Sequence, residues 1–266
     1  MPEPFPSKSL GKPFVELDSI DSTNNYALKL AYEGLAQHGS AYFAREQHSG
    51  KGQRGRLWLS QKDQNLVLSV VIDPRPLNTT QQFQLSAMAA VSVFRFFRQY
   101  AGDDTRIKWP NDLYWQDRKA GGILIENIIG SQNNVDFSPT YGWRWAVIGI
   151  GINLNQTAFP PELKNAVSLK QITGKSFDPV KMAKELCSLM DSCYSQLARS
   201  GFSSVYESYL NCLYKKDELV RFKKGSRAFE ARLKTVSPEG KLVIHHATEE
   251  EYGFGEIEWI IPNTGK

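Results

Sequence analysis

Apolar and polar positions follow one another along this chain in blocks whose period changes several times. Asp21-Ser22-Thr23-Asn24-Asn25 stands just before YALKLA, so a hydroxyl or amide can cap a helix there. Residues 40–45 (SAYFAR) and 66–72 (LVLSVVI) are rich in β-branched and aromatic side chains and predict strands. Residues 82–100 (QFQLSAMAAVSVFRFFRQY) place apolar side chains three and four apart, the pattern of a helix facing a core. TRIKW, DLYW, AGGILIENI and WRWAVIGIGINLN follow as four strands with short connectors between most of them. The last two are apolar enough for a sheet interior covered by helices. Residues 179–199 and 202–213 predict helices, parted by Ser200-Gly201. This order lacks the even βαβα alternation of a doubly wound fold, so the expected class is α+β with a mixed sheet.

The texture changes from about residue 217. ELVRFKK, FEARLKTV, KLVIHH, EYGFG and EIEWII are short strand candidates, separated by turn residues such as Lys224-Gly225-Ser226 and Ser237-Pro238-Glu239-Gly240. A main domain over residues 1–216 and a small all-β module over 217–266 are expected, the latter a barrel too small for much chemistry alone. A chain of 266 residues accommodates both.

Composition narrows the class. The sequence is 41% hydrophobic and 23% charged, values ordinary for a soluble enzyme with a substantial core. Its formal net charge of +4 is a mild excess, less than a general nucleic-acid binder would carry. Cys187, Cys193 and Cys212 form no CxxC pair and are odd in number, which argues against a disulfide framework or a zinc cage and fits a reducing compartment. The N-terminal MPEPFPSKSLGKPF is proline-rich and has no apolar run of signal-peptide length, and no segment could span a bilayer. The expectation is a soluble, cytoplasmic protein with no membrane or nucleic-acid partner.

Four stretches could carry chemistry. In SGKGQRGRLWLS, Gly50, Gly52 and Gly55 free the backbone while Lys51, Arg54 and Arg56 concentrate charge ahead of Trp58. A phosphate at ~4 Å from one such cation gains nominally about 4 kcal/mol before desolvation is subtracted. The loop is not a Walker A loop, and alone it reads equally as a solvated basic loop. In Lys108-Trp109-Pro110-Asn111-Asp112-Leu113, proline ends the strand and a turn holds Asp112 at a strand end, either as a plain cap or as a carboxylate for a metal or a proton. In Arg118-Lys119-Ala120-Gly121-Gly122, a lysine sits at the mouth of a buried strand, and the glycine pair lets a ligand approach beside the amine. In Gly149-Ile150-Gly151-Ile152-Asn153, two glycines weaken an apolar strand unless something packs on its backbone. Asn153 offers the donor and acceptor needed to read an adenine edge, or it caps a bulge.

Together and in this order, DSTN, Q-x-x-GxGxxGRxW, KWPNDL, RKxGGILIE and GIGINxN resemble the motifs of the biotin protein ligases, over roughly residues 14–155. The β-rich tail is similar to that family's small C-terminal domain. The resemblance implies a class II synthetase-like catalytic domain of the biotin/lipoate ligase type with an SH3-like β-barrel. It implies an enzyme that joins biotin to the α-phosphate of ATP, releases pyrophosphate, and passes the biotinyl group to a lysine of a biotin carboxyl carrier protein or domain. Ser22, Thr23, Asn24 and Gln47 fall where the family contacts biotin, together with Gly50, Lys51, Gly52, Gln53 and Gly122. Lys119 matches the lysine that touches both the reacting carboxyl and the phosphate. Lys51, Arg54, Arg56, Trp58, Asn111 and Asn153 fall at ATP or adenylate positions. Arg54 and Asp112 join Lys119 as catalytic candidates. Magnesium is expected to come mainly on phosphate oxygens, with Asp112 the one candidate protein ligand.

The family's loop commonly runs GRGRRGR, whereas here it is GKGQRGR. Lys51 lacks the guanidinium fork and Gln53 lacks charge, so the resemblance implies a loop that holds the adenylate less tightly. About a dozen residues precede the first expected strand, too few for a helix-turn-helix, so a ligase without repressor function is expected. A lipoate–protein ligase shares the adenylation strategy and is the nearest alternative. A nucleic-acid-binding module leaves GGILIE and GIGINLN without a role. A catalytically dead relative is opposed by the presence of Lys119 and Arg54. Nothing in the sequence chooses between a monomer and a homodimer.

Overall fold

The computed structural model describes residues 5–130 and 142–261. Seven strands form one mixed sheet: β1 (Phe14–Leu17), β2 (Ala41–Ala44), β3 (Asn65–Ile72), β4 (Thr105–Lys108), β5 (Asp112–Trp115), β6 (Arg118–Ile129) and β7 (Trp143–Asn153). Their order across the sheet is β1-β2-β3-β7-β6-β5-β4, with β1 parallel to β2 and the other neighbours antiparallel. Helices α1 (Thr23–Tyr32), α2 (Gln82–Ala101), α3 (Leu169–Thr173), α4 (Pro179–Ser200) and α5 (Phe202–Asn211) cover it.

The alternation of side chains along β3 and β7 decides what lies on each face. Leu66, Leu68, Val70 and Ile72 of β3 join Ala146, Ile148, Ile150 and Ile152 of β7 in the main core, under α2 and α4. The opposite face carries Val71 and Val147, which pack with Ala27 of α1. One register step further along, that face has Ser69 beside Gly149 in place of large apolar groups, and the step after that pairs Val67 with Gly151. A fully buried Leu or Ile contributes about 1.5–3 kcal/mol, so the first face secures the fold. The second is left free for a site.

Local signals set the helix ends. Ser22 caps α1 by accepting from the Asn25 amide. Asp178 caps α4 with Pro179 in its first turn, and Gly201 closes it. Helix α5 stops at Asn211, two residues short of the expected 213, because the chain is needed at the sheet edge. The Ile107 amide donates to the Cys212 carbonyl, and the Tyr214 amide to the Ile107 carbonyl, both at 2.8 Å.

The C-terminal part forms a second, antiparallel sheet from β8 (Leu219–Lys224), β9 (Arg227–Val236), β10 (Leu242–His246), β11 (Thr248–Tyr252) and β12 (Glu258–Ile260), in the order β11-β10-β9-β8-β12. Strand β11 runs earlier than the expected EYGFG. Ala247 turns the chain with positive φ, and three glutamates pair with β10 as an exposed, charged edge. Such an edge resists pairing with other chains, which explains why so polar a run is a strand. Phe254 and Gly255 lie instead in the turn that follows. The two sheets share one continuous cluster of buried side chains, and the Trp109 indole donates to the Gly240 carbonyl at 2.9 Å. The expected ranges 1–216 and 217–266 include residues 1–4, 131–141 and 262–266, which lie outside the described residues.

Candidate active site

Strand register gathers the motifs that the sequence separates. Asp112 stands opposite Gly122, Gly122 opposite Gly151, and Gly151 opposite Val67, so four strands contribute to one row. The next row is Leu124, Gly149 and Ser69. The two glycines of GIGIN therefore sit side by side with the partners that need their space. A Cβ at Gly149 would collide with the Asn24 carboxamide, and one at Gly151 with the Trp58 indole. This answers why an apolar strand tolerates both.

One end of the site is polar and neutral. Ser22, Thr23 and Asn24 are buried at the start of α1. Gln47 Oε1 accepts from the Thr23 amide at 2.8 Å and from the Thr23 hydroxyl at 3.1 Å. The Ser69 hydroxyl donates to Asn24 Oδ1 at 2.6 Å and lies 2.7 Å from the Thr23 hydroxyl. Ser69 escaped the motif reading, although a lone serine inside LVLSVVI was a visible signal. Asn24 Nδ2 in turn donates to Glu126 Oε2 at 2.8 Å. The cluster presents uncharged donors and acceptors within a buried setting, where an unmet partner is costly.

The other end is charged. Lys119 Nζ lies 2.6 Å from Asp112 Oδ1, and Lys108 Nζ lies 3.9 Å from Asp112 Oδ2. Gly122 lies directly beneath this pair: a Cβ there would touch Asp112 Oδ1 and Lys119 Nζ at 3.4 and 3.5 Å, ordinary contact distances. Lys119 lies inside β6, opposite Tyr114, rather than ahead of the strand as expected. Its backbone is fixed by the segment at Asn165–Val167, through Lys119 N to Asn165 O at 2.7 Å and Val167 N to Lys119 O at 2.9 Å. Lys108 is buried between the rings of Tyr114 and Trp259, 5.3 and 5.0 Å from its Nζ. Burial pushes its ammonium down to about 8; Asp112 opposes that shift, and Lys119 and Arg56 add to it.

The basic loop closes on itself as a short hairpin. The Trp58 amide donates to the Gly50 carbonyl at 2.8 Å and the Gly52 amide to the Arg56 carbonyl at 2.7 Å. A turn over Gln53–Gly55 forms its tip, with Arg54 at φ 56° and Gly55 at φ 72°. Its cations do not converge. Lys51 pairs with Glu126 at 3.2 Å, and Arg54 lies with its guanidinium 4.9 Å over the Phe254 ring. Arg56 is exposed, near enough for its charge to bear on Lys108. Gln53 is half-buried at the tip. Beside the hairpin, a cavity of about 410 Å3 is lined by Gln47, Gly50, Leu57, Trp58, Gln156 and Phe159, among others.

Two expected ligand contacts are turned to the backbone. The Asn111 carboxamide donates to the Ile123 carbonyl. The buried Asn153 carboxamide donates to Val167 O at 3.1 Å and more weakly to Lys119 O at 3.5 Å. Both brace the strands that carry Lys119. The Trp58 indole NH is buried and finds no hydrogen-bond partner among the described residues, leaving a donor free for a ligand. Among the described residues, no group of three His, Cys, Asp or Glu is placed to hold a metal. Asp112 is already bridged by two ammonium groups, so these residues do not assemble a magnesium cage. All three cysteines are free and buried, and burial pushes Cys187 and Cys212 up to about 12, away from nucleophilic chemistry. Among the described residues no helix is long and apolar enough to cross a membrane.

A polar neutral end and a lysine-carboxylate end thus meet along one row of the sheet, beside a basic hairpin, the layout of a site for a ligand that is polar at one end and anionic at the other. The biotin/lipoate A/B protein ligase family model matches residues 16–136. The biotin–[acetyl-CoA-carboxylase] ligase of Paracoccus denitrificans is 31% identical over 235 residues, covering 86% of this chain and 92% of that one. The chain belongs to this family, and the relatives it matches are biotin protein ligases. The bifunctional ligase/repressor BirA of Bacillus subtilis is 33% identical over 207 residues, covering 75% of this chain. The chain spans 60% of the length of that BirA. The biotin protein ligase of Aquifex aeolicus, solved with biotin and ATP, superposes with a TM-score of 0.75 at 26% identity, covering 96% of this chain and 99% of that one.

Proposed function

We propose that this protein is a biotin protein ligase, acting in the cytoplasm on biotin, MgATP and a biotin carboxyl carrier domain. The observation that carries the reading is the row in which the Lys119–Asp112 pair, the Gly122 floor, Gly151 and Trp58 adjoin the Thr23–Asn24–Gln47–Ser69 cluster. A flat, neutral urea needs several matched donors and acceptors, and that cluster supplies them. A lipoyl dithiolane offers no such hydrogen bonds and would leave the buried cluster unmet, which favours biotin over the lipoate alternative.

The chemistry then follows from charge. A carboxylate oxygen of biotin attacks the α-phosphorus of ATP, the bond to the β-phosphate oxygen breaks, and pyrophosphate leaves. Two anions must approach for this to happen. In this reading Lys119 neutralises both, and Arg54, Arg56 and Lys51 of the hairpin add charge once the loop closes. Magnesium enters on the phosphates of its nucleotide as part of the substrate. In the second half-reaction the carrier lysine, as the free amine, attacks the acyl carbon. The new amide forms as the nitrogen gives up one proton to solvent, the bond to AMP oxygen breaks, and AMP leaves with the electron pair. Asp112 is the carboxylate beside that route, suited to orient the incoming amine.

The test is mass spectrometry of a carrier domain incubated with biotin, MgATP and this protein, alongside ATP–pyrophosphate exchange with biotin or lipoate. One biotinyl group on one carrier lysine, with exchange that needs biotin, is the expected result. Exchange with lipoate alone selects the alternative, and no exchange with either acid overturns the reading.

A further inference from the structure

Glu126 has no part in the chemistry so far, yet it touches two pieces of it. It stands on β6 four residues beyond Gly122 and shares the site face of the sheet. One carboxylate oxygen accepts from Asn24 Nδ2 at 2.8 Å, and the other pairs with Lys51 Nζ at 3.2 Å. Its side chain is only 27% exposed, so neither contact is a fully solvated one.

The consequence for Asn24 is an orientation. Its amide nitrogen faces a carboxylate, and its oxygen faces the Ser69 hydroxyl. Flipping the carboxamide would set its oxygen against the Glu126 carboxylate, which has no proton to give, so Glu126 is the group that decides the orientation. Asn24 Oδ1 therefore keeps one lone pair in a fixed place, as a urea N–H requires. The consequence for the hairpin is a tether at its root, since Lys51 follows Gly50 directly.

We propose that Glu126 is a positioning residue that fixes the Asn24 carboxamide for urea recognition and, through the same carboxylate, anchors the basic hairpin by Lys51. The proposal rests on the biotin reading. A gap in the urea site and a loosened hairpin thus share one cause, which neither motif shows alone.

Two variants separate the contacts. Glu126→Gln keeps an acceptor for Asn24 and gives up the charge that holds Lys51. Glu126→Leu gives up both. Thermal unfolding confirms that each is folded, and biotin affinity is measured by calorimetric titration. Glu126→Leu is expected to weaken biotin binding about tenfold, the effect of leaving the buried Asn24 amide with only its long, 3.5 Å contact to the Leu124 carbonyl, and Glu126→Gln to recover most of that loss. Both are expected to speed proteolysis between Gly50 and Trp58 in the ligand-free protein. Biotin affinity within twofold of native for Glu126→Leu overturns the proposal, as does an equal loss in both variants. If the native protein itself fails to bind biotin, the functional reading falls instead.

Discussion

The Lys119 ammonium meets the Asp112 carboxylate at 2.6 Å directly over Gly122. The proposed reaction makes Lys119 matter most where negative charge gathers, between the biotin carboxylate and the α-phosphate. Lys119→Ala is expected to slow adenylation by about 100-fold or more, in the range that loss of one aimed charge-stabilising donor produces. Its effect on biotin affinity should be far smaller, because the urea cluster is intact. Single-turnover formation of biotinyl-AMP, set beside a biotin titration, checks both halves. Collapsed affinity with surviving chemistry would contradict the role.

Gly149 and Gly151 differ in what each makes room for, so alanine at each should fail differently. Gly149→Ala forces its methyl into Asn24 and is expected to raise KM for biotin. Gly151→Ala displaces the Trp58 indole and is expected to raise KM for ATP. Overpacking of this kind costs typically about 1–3 kcal/mol, which a shared core of this size should survive. Steady-state kinetics with each substrate varied in turn gives the answer. Equal effects of both variants on both substrates would show that the row does not divide as described.

The sequence displayed much of this design. The alternation in LVLSVVI and WAVIGIGI marked the strands, and the glycines of GIGIN announced that something must press on that backbone. Neither Asn24 nor Trp58 could be named as the pressing group, because register across strands β3, β7 and β6 is set by distant pairing and not by local pattern. The same limit hid Glu126, whose two partners lie 102 and 75 residues away. Lys108 stands in KWPND, but nothing in that motif marks it as buried. Its burial depends on Trp259, from the other end of the chain. The polar run at β11 misled for a further reason, since an edge strand is allowed to look like a loop.

Lys108 gives the fold a pH signature. Its ammonium titrates at about 8 in the folded protein, against an ordinary value of 10.5. Between these values the unfolded chain binds more protons, so stability attributable to Lys108 rises with pH across that window. Below about 8 both states are protonated and the burial penalty is fully felt. Asp112, Lys119 and Arg56 are the charges that face it, with Tyr114, itself pushed upward by burial, and Trp259 as the ring walls. Lys108→Met removes the titration. The difference in unfolding free energy between variant and native is therefore expected to shrink, or to turn in favour of the native protein, as pH rises from 7.5 to 9.5. Urea unfolding at the two pH values measures it, and parallel behaviour would rule out the assigned burial.

Arg54 is parked on the turn between β11 and β12. Its guanidinium lies over Phe254 and leaves no room for a side chain at Gly255. An exposed contact of this type contributes about 0.5–1 kcal/mol, enough to bias a small hairpin but weak enough to release on closure. Phe254→Ala is expected to speed proteolysis between Gly50 and Trp58 roughly two- to fivefold in the ligand-free protein, as that energy implies. Biotin with MgATP should then protect native and variant alike. If the variant is cut at the native rate, the ring does not hold the loop.

Gln53 sits at the hairpin tip between Gly52 and Arg54, half-buried and uncharged. With Lys51 drawn to Glu126 and Arg54 to Phe254, the tip is the position from which a further cation could reach a bound adenylate without breaking an existing contact. Glutamine there offers hydrogen bonds but no attraction for the phosphate. Gln53→Arg should therefore slow release of biotinyl-AMP. Partial solvation limits the gain to about 1 kcal/mol, or roughly a fivefold change in rate. The same variant should also biotinylate bystander lysines less, because less intermediate escapes before a carrier arrives. Dissociation of preformed biotinyl-AMP, followed by chase with unlabelled biotin, decides the point, and an unchanged rate would remove Gln53 from the account of adenylate retention.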